Sequence, residues 1–197
     1  MGERLANGNI AIALLANTLA TGAALVALIL TFGPISGAHF NPAVSLCDAM
    51  VRGISWKLCA GYIAAQIIGA FVGVACAHAM FGFPLFCASR HIRSGPPQVF
   101  SEFVATFGLL AVIWGVVRSR PMVVPFAVGA YITAAYWFTA STSFANPAVT
   151  IARAATNTFT GIRPADVTPF LLAQVSGAVA STMLFRWLNP KMPLCSS

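Results

Sequence analysis

Charge is what this sequence has least of. Asp, Glu, Lys and Arg make up 8% of its 197 residues, against roughly one-quarter in soluble domains. With 58% hydrophobic residues and a mean hydropathy of +0.83, such a chain cannot clothe a water-facing surface. A soluble globular domain is excluded and a membrane protein is indicated. Acidic residues are scarcest, at four: Glu3, Asp48, Glu102 and Asp166. The five cysteines (47, 59, 76, 87 and 195) form no CxxC pair and mostly fall in apolar stretches, where they read as small apolar filler. No disulfide, metal site or cofactor is expected. No nucleophile, base and orienter set stands out, so an enzyme is not indicated.

Basic residues outnumber acidic ones, for a formal charge of +7, yet they are scattered along loops and helix ends. They form no stripe of the kind that binds nucleic acid, and they read as topology signals. Apolar runs of spanning length, roughly 20 residues, lie at about 9–32, 56–80, 99–117, 122–142 and 165–187. The first is too long for the apolar core of a cleaved signal peptide, and MGERLANGN before it is not a basic leader. With five crossings, Arg52, Lys57, Arg118, Arg120, Arg186 and Lys191 share one side, which the positive-inside rule makes cytoplasmic. Arg4, Arg90, Arg93 and Arg163 lie opposite. Single-sided excess is therefore modest.

What the chain does have is a repeat. NPAVSLCD at 41–48 answers NPAVTIAR at 146–153, and AQIIGA at 65–70 answers AQVSGA at 173–178. The chain reads as one membrane domain over 1–197, with repeat units at 9–80 and 99–187. Repeated, interrupted hydrophobic segments are the trace of channels and transporters. The second unit opens on SEFVATFGLL, whose Glu102 precedes Asn146 by 44 residues. The corresponding point before Asn41 falls ahead of Met1, so the first unit is expected to lack a leading helix.

Asparagine followed by proline is a strong helix start: the amide oxygen caps free N–H groups and proline suits the first turn. Asn41 to about Val51, and Asn146 to about Asn157, each span some ten residues, a rise of roughly 15 Å, half a bilayer. Two such half-helices entering from opposite faces and meeting start to start would cross its roughly 30 Å core. Irregular backbone is tolerated at that depth only where it faces protein or a water-filled cavity. The stretches 36–40 and 142–145, rich in small residues, suit this, and their carbonyls are expected to line a pore.

SGAHFNPAV, the second NPA, the SEFVATF opening and the paired AQxxGA helices together resemble the major intrinsic protein family of aquaporins and aquaglyceroporins, over essentially the whole chain. The resemblance implies an all-α membrane protein with an aquaporin-like inverted repeat: five full transmembrane helices plus two NPA half-helices here, six in the family. It implies one pore per subunit and a homotetramer set in membrane lipid. In the pore, Asn41 and Asn146 of the motifs Asn41-Pro42-Ala43 and Asn146-Pro147-Ala148 donate hydrogen bonds to the permeant, while the helix ends repel cations and break proton relay. Loop carbonyls around Gly37, Ala38 and His39 are implied to line the path, with His39 positioning the loop, and Glu102 to hold backbone N–H groups of the second loop. Met1 to Leu5 resembles a mid-protein stretch of the family, following its first helix.

The chain departs from the pattern after the second NPA, where most of the family has arginine and this sequence has Val149. Matching LATG at 19–22 puts Thr21 at a filter position often held by an aromatic or histidine. Matching the proline and glycine of the fifth helix puts Tyr136 at another, although counting back from Asn146 gives Ala134. Ser143 is the loop position. A filter of Thr21, Tyr136, Ser143 and Val149 should be wider and bind hydrogen-bonding groups less strongly. Arg153, four residues past Val149, lies on the same half-helix face. It is a candidate outer gate, although hydrogen bonding to loop carbonyls or facing headgroups is the more ordinary use of such a residue. Asp48, its counterpart, has either an inner-vestibule role or a loop salt bridge.

Val149, Thr21 and ANPAVTIARAATNTFTGI are similar to a bacterial subgroup associated with arsenic resistance. Water, glycerol-like polyols and uncharged arsenous acid are the implied permeants, and the cell (inner) membrane the implied location. A passive channel for small neutral solutes is thus expected. A coupled transporter would need carboxylates or ion ligands within the membrane, where Glu102 stands nearly alone; an incomplete, non-conducting chain is the other alternative. Gly61, Gly69, Gly73 and Gly177 are expected at close helix crossings, and Trp137, Trp187 and Tyr62 include expected interfacial anchors.

Overall fold

A computed structural model describes residues 1–189; Lys191 and Cys195 lie outside the described residues. Four helices begin on a proline whose missing N–H costs nothing in the first turn: α3 (Pro42–Met50), α5 (Pro96–Val117), α7 (Pro147–Arg153) and α8 (Pro164–Leu188). The others are α1 (Gly2–Leu5), α2 (Ile10–Ser36), α4 (Trp56–Phe81) and α6 (Val124–Phe138), the last entered through a 3-10 turn at Pro121–Val123. The side chain of Asn9 caps α2 by accepting from Ile12 N, and Ser55 caps α4 by accepting from Leu58 N. No strand occurs among the described residues. The protein is an all-α membrane protein with the aquaporin-like arrangement, in which α2, α4, α5, α6 with its leading turn, and α8 are long and apolar enough to cross a bilayer.

Boundaries moved where loop geometry overrode hydropathy. α6 ends at Phe138 rather than near 142, because Thr139 turns extended. The half-helices stop at Met50 and Arg153, short of Val51 and Asn157. Ser36 belongs to α2, which carries Pro34 inside its last turns. At 27 residues α2 rises roughly 40 Å, more than the hydrocarbon core, so it must tilt or project.

Packing is tightest between α5 and α8. Gly177 lets them touch: a Cβ there would run into the backbone carbonyl of Phe103 and the N–H of Phe107. Trp114 donates across the same seam to Thr182 Oγ1 at 2.9 Å. Between α2 and α6, Gly22 and Gly129 abut, each facing the other's carbonyl. The repeat partner of Gly177 is Gly69 on α4, and here the expectation of close crossings needs correcting. Nothing approaches within 4 Å of a Cβ built at Gly61, Gly69 or Gly73. That face of α4 is bare among the described residues. Tyr62 is not an interfacial anchor either, since its hydroxyl donates to Ser36 O at 3.0 Å and its ring meets His39 edge-on. Trp137 and Trp187 are exposed, as anchors must be.

Candidate functional site

Each half-helix is started by its own asparagine. Asn41 Oδ1 accepts from Ala43 N at 3.0 Å, and Asn146 Oδ1 accepts from Ala148 N at 3.0 Å and Val149 N at 3.3 Å. With the oxygens occupied, the Nδ2 groups reach across. Asn41 Nδ2 donates to Ala145 O at 2.7 Å, and Asn146 Nδ2 donates to Phe40 O at 2.8 Å. Each amide thus bonds the carbonyl of the residue just before the other asparagine. The two helix starts meet, and they hold each other reciprocally. Pro42, Ala43, Pro147 and Ala148 are buried behind them.

The loops leading into α3 and α7 share one backbone. Gly37, Ala38 and Phe40 have φ of 71°, 47° and 47°; their counterparts Thr142, Ser143 and Ala145 have 61°, 49° and 48°. Left-handed conformations are uncommon outside glycine, cost of order 1–3 kcal/mol each and cluster at functional sites. Five of these six residues carry a Cβ, so sequence gave no warning of the geometry. Its effect is to turn loop backbone toward a common space.

That space is a cavity of about 490 Å³. Thr21, Gly37, Ala38, His39, Asn41, Tyr136, Ser143, Asn146, Val149 and Arg153 all line it. Tyr136, not Ala134, faces it: Tyr136 is buried on the cavity wall, whereas Ala134 is exposed elsewhere. Much of the remaining wall is aliphatic, from Leu25, Ile29, Leu109, Ile113, Val128 and Ile132. Ser143 Oγ has no hydrogen-bond partner among the described residues and is itself buried.

Glu102 supports the second loop from behind. It is fully buried; Oε1 accepts from Phe144 N at 2.8 Å, Oε2 from Ala145 N at 2.8 Å and from Gln174 Nε2 at 2.6 Å. The amide of Gln174 also donates to Thr150 Oγ1 at 2.8 Å. The first repeat reproduces half of this: Gln66 donates to Ser45 Oγ at 2.9 Å, and Ser45 lies 3.0 Å from His39 Nδ1. No carboxylate accepts from the amides of His39 and Phe40 among the described residues. His39 Nε2 instead faces Asp48 Oδ2 at 3.6 Å. Asp48 also lines the cavity, and its contact with His39 is a salt bridge only when the imidazole is protonated.

Arg153 does not hydrogen-bond loop carbonyls through its guanidinium. Its Nη2 donates to Tyr136 Oη at 3.3 Å and its Cζ lies 4.3 Å from the centre of the Phe144 ring. The carbonyl-binding arginine is Arg93, which the charge pattern had suggested only as a topology signal. Buried in the connection after α4, it donates to Gly161 O (2.8 Å), Ser141 O (3.0 Å) and Phe159 O (3.1 Å), and its Cζ lies 4.8 Å from the centre of the same Phe144 ring. Burial, and after it the nearby Arg153, lower its pKa to about 10, so it remains a cation at neutral pH. Nothing in the sequence marks this residue, because its partners are backbone carbonyls. His78 is a second missed clamp: Nδ1 donates to Pro84 O at 2.6 Å, leaving Nε2 to accept from the Thr156 hydroxyl at 2.8 Å. Together they lay residues 82–95 over 154–163, where Cys87 N and Ser89 N donate to Ala155 O and Ala154 O. No group of three or more His, Cys, Asp or Glu side chains able to hold a metal occurs among the described residues.

Comparison with known proteins matches residues 3–140 to the family described as major intrinsic protein. The chain is 55% identical over 185 residues to aquaglyceroporin AqpS of Rhizobium meliloti (strain 1021), a match covering 93% of this chain and 79% of that protein. It is 32% identical over 172 residues to aquaporin NIP1-1 of Oryza sativa subsp. japonica, covering 84% of this chain and 59% of the relative. A shorter match, 46% identical over 65 residues, links it to aquaglyceroporin-3 of Trypanosoma brucei brucei, with 32% and 21% of the two chains covered.

Proposed function

Since the chain belongs to the major intrinsic protein family, we propose that it is a passive channel for small neutral solutes: water, glycerol-like polyols and uncharged metalloid hydroxides such as arsenous acid. The reading is carried by the reciprocal exchange of amide hydrogen bonds between Asn41 and Asn146 at the wall of the cavity. Each amide oxygen serves its own helix and one N–H serves the opposite loop. The remaining N–H of each is the group offered to the cavity. A water molecule between them accepts from both and must aim its own protons away, which interrupts a proton wire.

Selectivity is assigned to Thr21, Tyr136, Ser143 and Val149, with Arg153 as the outer gate. Val149 leaves the space that an arginine would fill, which favours solutes larger than water that exchange water for hydroxyl contacts. Loop carbonyls at Gly37, Ala38 and His39 supply acceptors, and Glu102 is the support that keeps the second loop open. Its oxygens are committed to three donors, so it is not free to carry a coupling ion, and this disfavours a secondary transporter. Uncharged arsenous acid is proposed because its hydroxyls mimic a polyol and because Thr21, Val149 and the stretch 145–162 resemble a bacterial subgroup associated with arsenic resistance. The channel is placed in the cell (inner) membrane as a homotetramer.

Purified protein reconstituted into lipid vesicles tests this. Glycerol and arsenite are expected to enter faster than into protein-free vesicles, without saturation and without dependence on an ion gradient. Uptake that saturates and follows Na⁺ or H⁺ would instead make it a transporter, and uptake no faster than through bare lipid would remove the channel reading.

A further inference from the structure

We propose that Arg153 is the specificity-determining cation of the outer mouth, positioned by Tyr136, so that a residue one helical turn beyond Val149 sets what the wide filter refuses. The proposal rests on the channel reading above and deepens its gate.

Arg153 ends α7, and a helical side chain at that point leans toward the start of its helix. Here it leans over the pore loop, with its guanidinium on the Phe144 ring and Nη2 donating to the Tyr136 hydroxyl. Tyr136 in turn donates to Thr21 Oγ1 at 3.4 Å. One chain of contacts therefore joins α7, α6 and α2 around the cavity, and all three polar residues line it. A guanidinium has five N–H donors; a single donor bond, to Tyr136, is made by this one among the described residues. The neighbouring Arg93 also lies against Phe144 but differs in its donors, which are spent on carbonyls and on Thr142 Oγ1, and in not lining the cavity. Nor is Arg153 neutralised by a carboxylate: among the described residues the acid–base contacts are Arg163 with Asp166 and His39 with Asp48, the latter charged only when the imidazole is protonated, and neither involves Arg153.

The repeat sharpens the point. Asp48 occupies the same place after Asn41 that Arg153 occupies after Asn146, and both line the cavity. The passage runs from an acidic inner end to a basic outer one. Asp48 attracts small cations, and Val149 is too small and uncharged to stop them. Arg153 is the group that turns them back, while its open N–H groups favour solutes that present an oxygen acceptor. Without it, the mouth has room for a small organic cation.

The test measures glycerol and methylammonium fluxes in the same vesicles. Wild-type protein is expected to pass glycerol and exclude methylammonium. Arg153→Met keeps the aliphatic stem over Phe144 and is expected to pass glycerol more slowly than wild type yet faster than bare lipid, while methylammonium flux rises by about tenfold or more, a modest share of what an unscreened charge in a narrow pore exerts. Moving the charge back, in the double variant V149R/R153M, should restore exclusion. If Arg153→Met does not fold, Tyr136→Phe decides, because it frees the guanidinium without removing it; methylammonium leakage supports the proposal. A folded Arg153→Met that passes glycerol and excludes methylammonium like wild type overturns it, as does tight exclusion by Tyr136→Phe in the absence of a folded Arg153→Met. Loss of glycerol flux in the wild type itself would overturn the channel reading instead.

Discussion

Glu102 and the two motif asparagines show how single side chains hold this site. Removing the carboxylate by Glu102→Ala leaves the N–H groups of Phe144 and Ala145 and the amide of Gln174 without their acceptor. Each buried unsatisfied donor costs roughly 1–3 kcal/mol, so a loss of at least about 3 kcal/mol is expected, read as a lowered unfolding midpoint in detergent. Asn41→Ala and Asn146→Ala should each cost about 1 kcal/mol as lost helix caps. Because each amide also bonds the other's loop, the double variant should depart from additivity by roughly 0.5–3 kcal/mol; additive losses would show that the two starts do not depend on each other. These residues were legible in the sequence because their signals are local: a doubled Asn-Pro, and an acid in an apolar run. Arg93 and His78 were not. Their partners are loop carbonyls and a distant threonine hydroxyl, brought near only by the folded connection.

At the scale of elements, the half-helices were expected and their length was nearly right, since proline marks the start and hydropathy the depth. The left-handed backbone before each start was hidden. Alanine, phenylalanine, serine and threonine do not advertise positive φ as glycine does, and five such residues adopt it in the two pore loops. Helix seams were half legible. Gly177 and Gly69 hold the same place in the repeat, but only the first meets a neighbour. Gly177→Ala should therefore lower stability markedly, whereas Gly69→Ala should be neutral or gain up to about 1 kcal/mol from helix propensity. Thermal unfolding of both variants checks this. A loss at Gly69 equal to that at Gly177 would show that something packs against α4 in the folded protein.

For the molecule as a whole, scarcity of charge gave the class, the repeat gave the pairing of halves, and the doubled motif gave the place where they meet. Composition could not say which charges face the passage. Arg153 and Asp48 were drawn into the cavity wall by packing, while Arg93, with the same charge, was buried behind it. On the channel reading, a solute passes beside the two meeting half-helices. Val149→Cys places a thiol on the cavity wall next to the second motif, and the wild type, with Cys76 and Cys87 exposed elsewhere, is its control. Glycerol flux through reconstituted Val149→Cys, measured before and after reaction with a thiol-specific reagent, is the direct measurement. Modification is expected to abolish flux in the variant and to spare the wild type. Full conduction through Val149→Cys whose thiol has demonstrably reacted would contradict the channel reading.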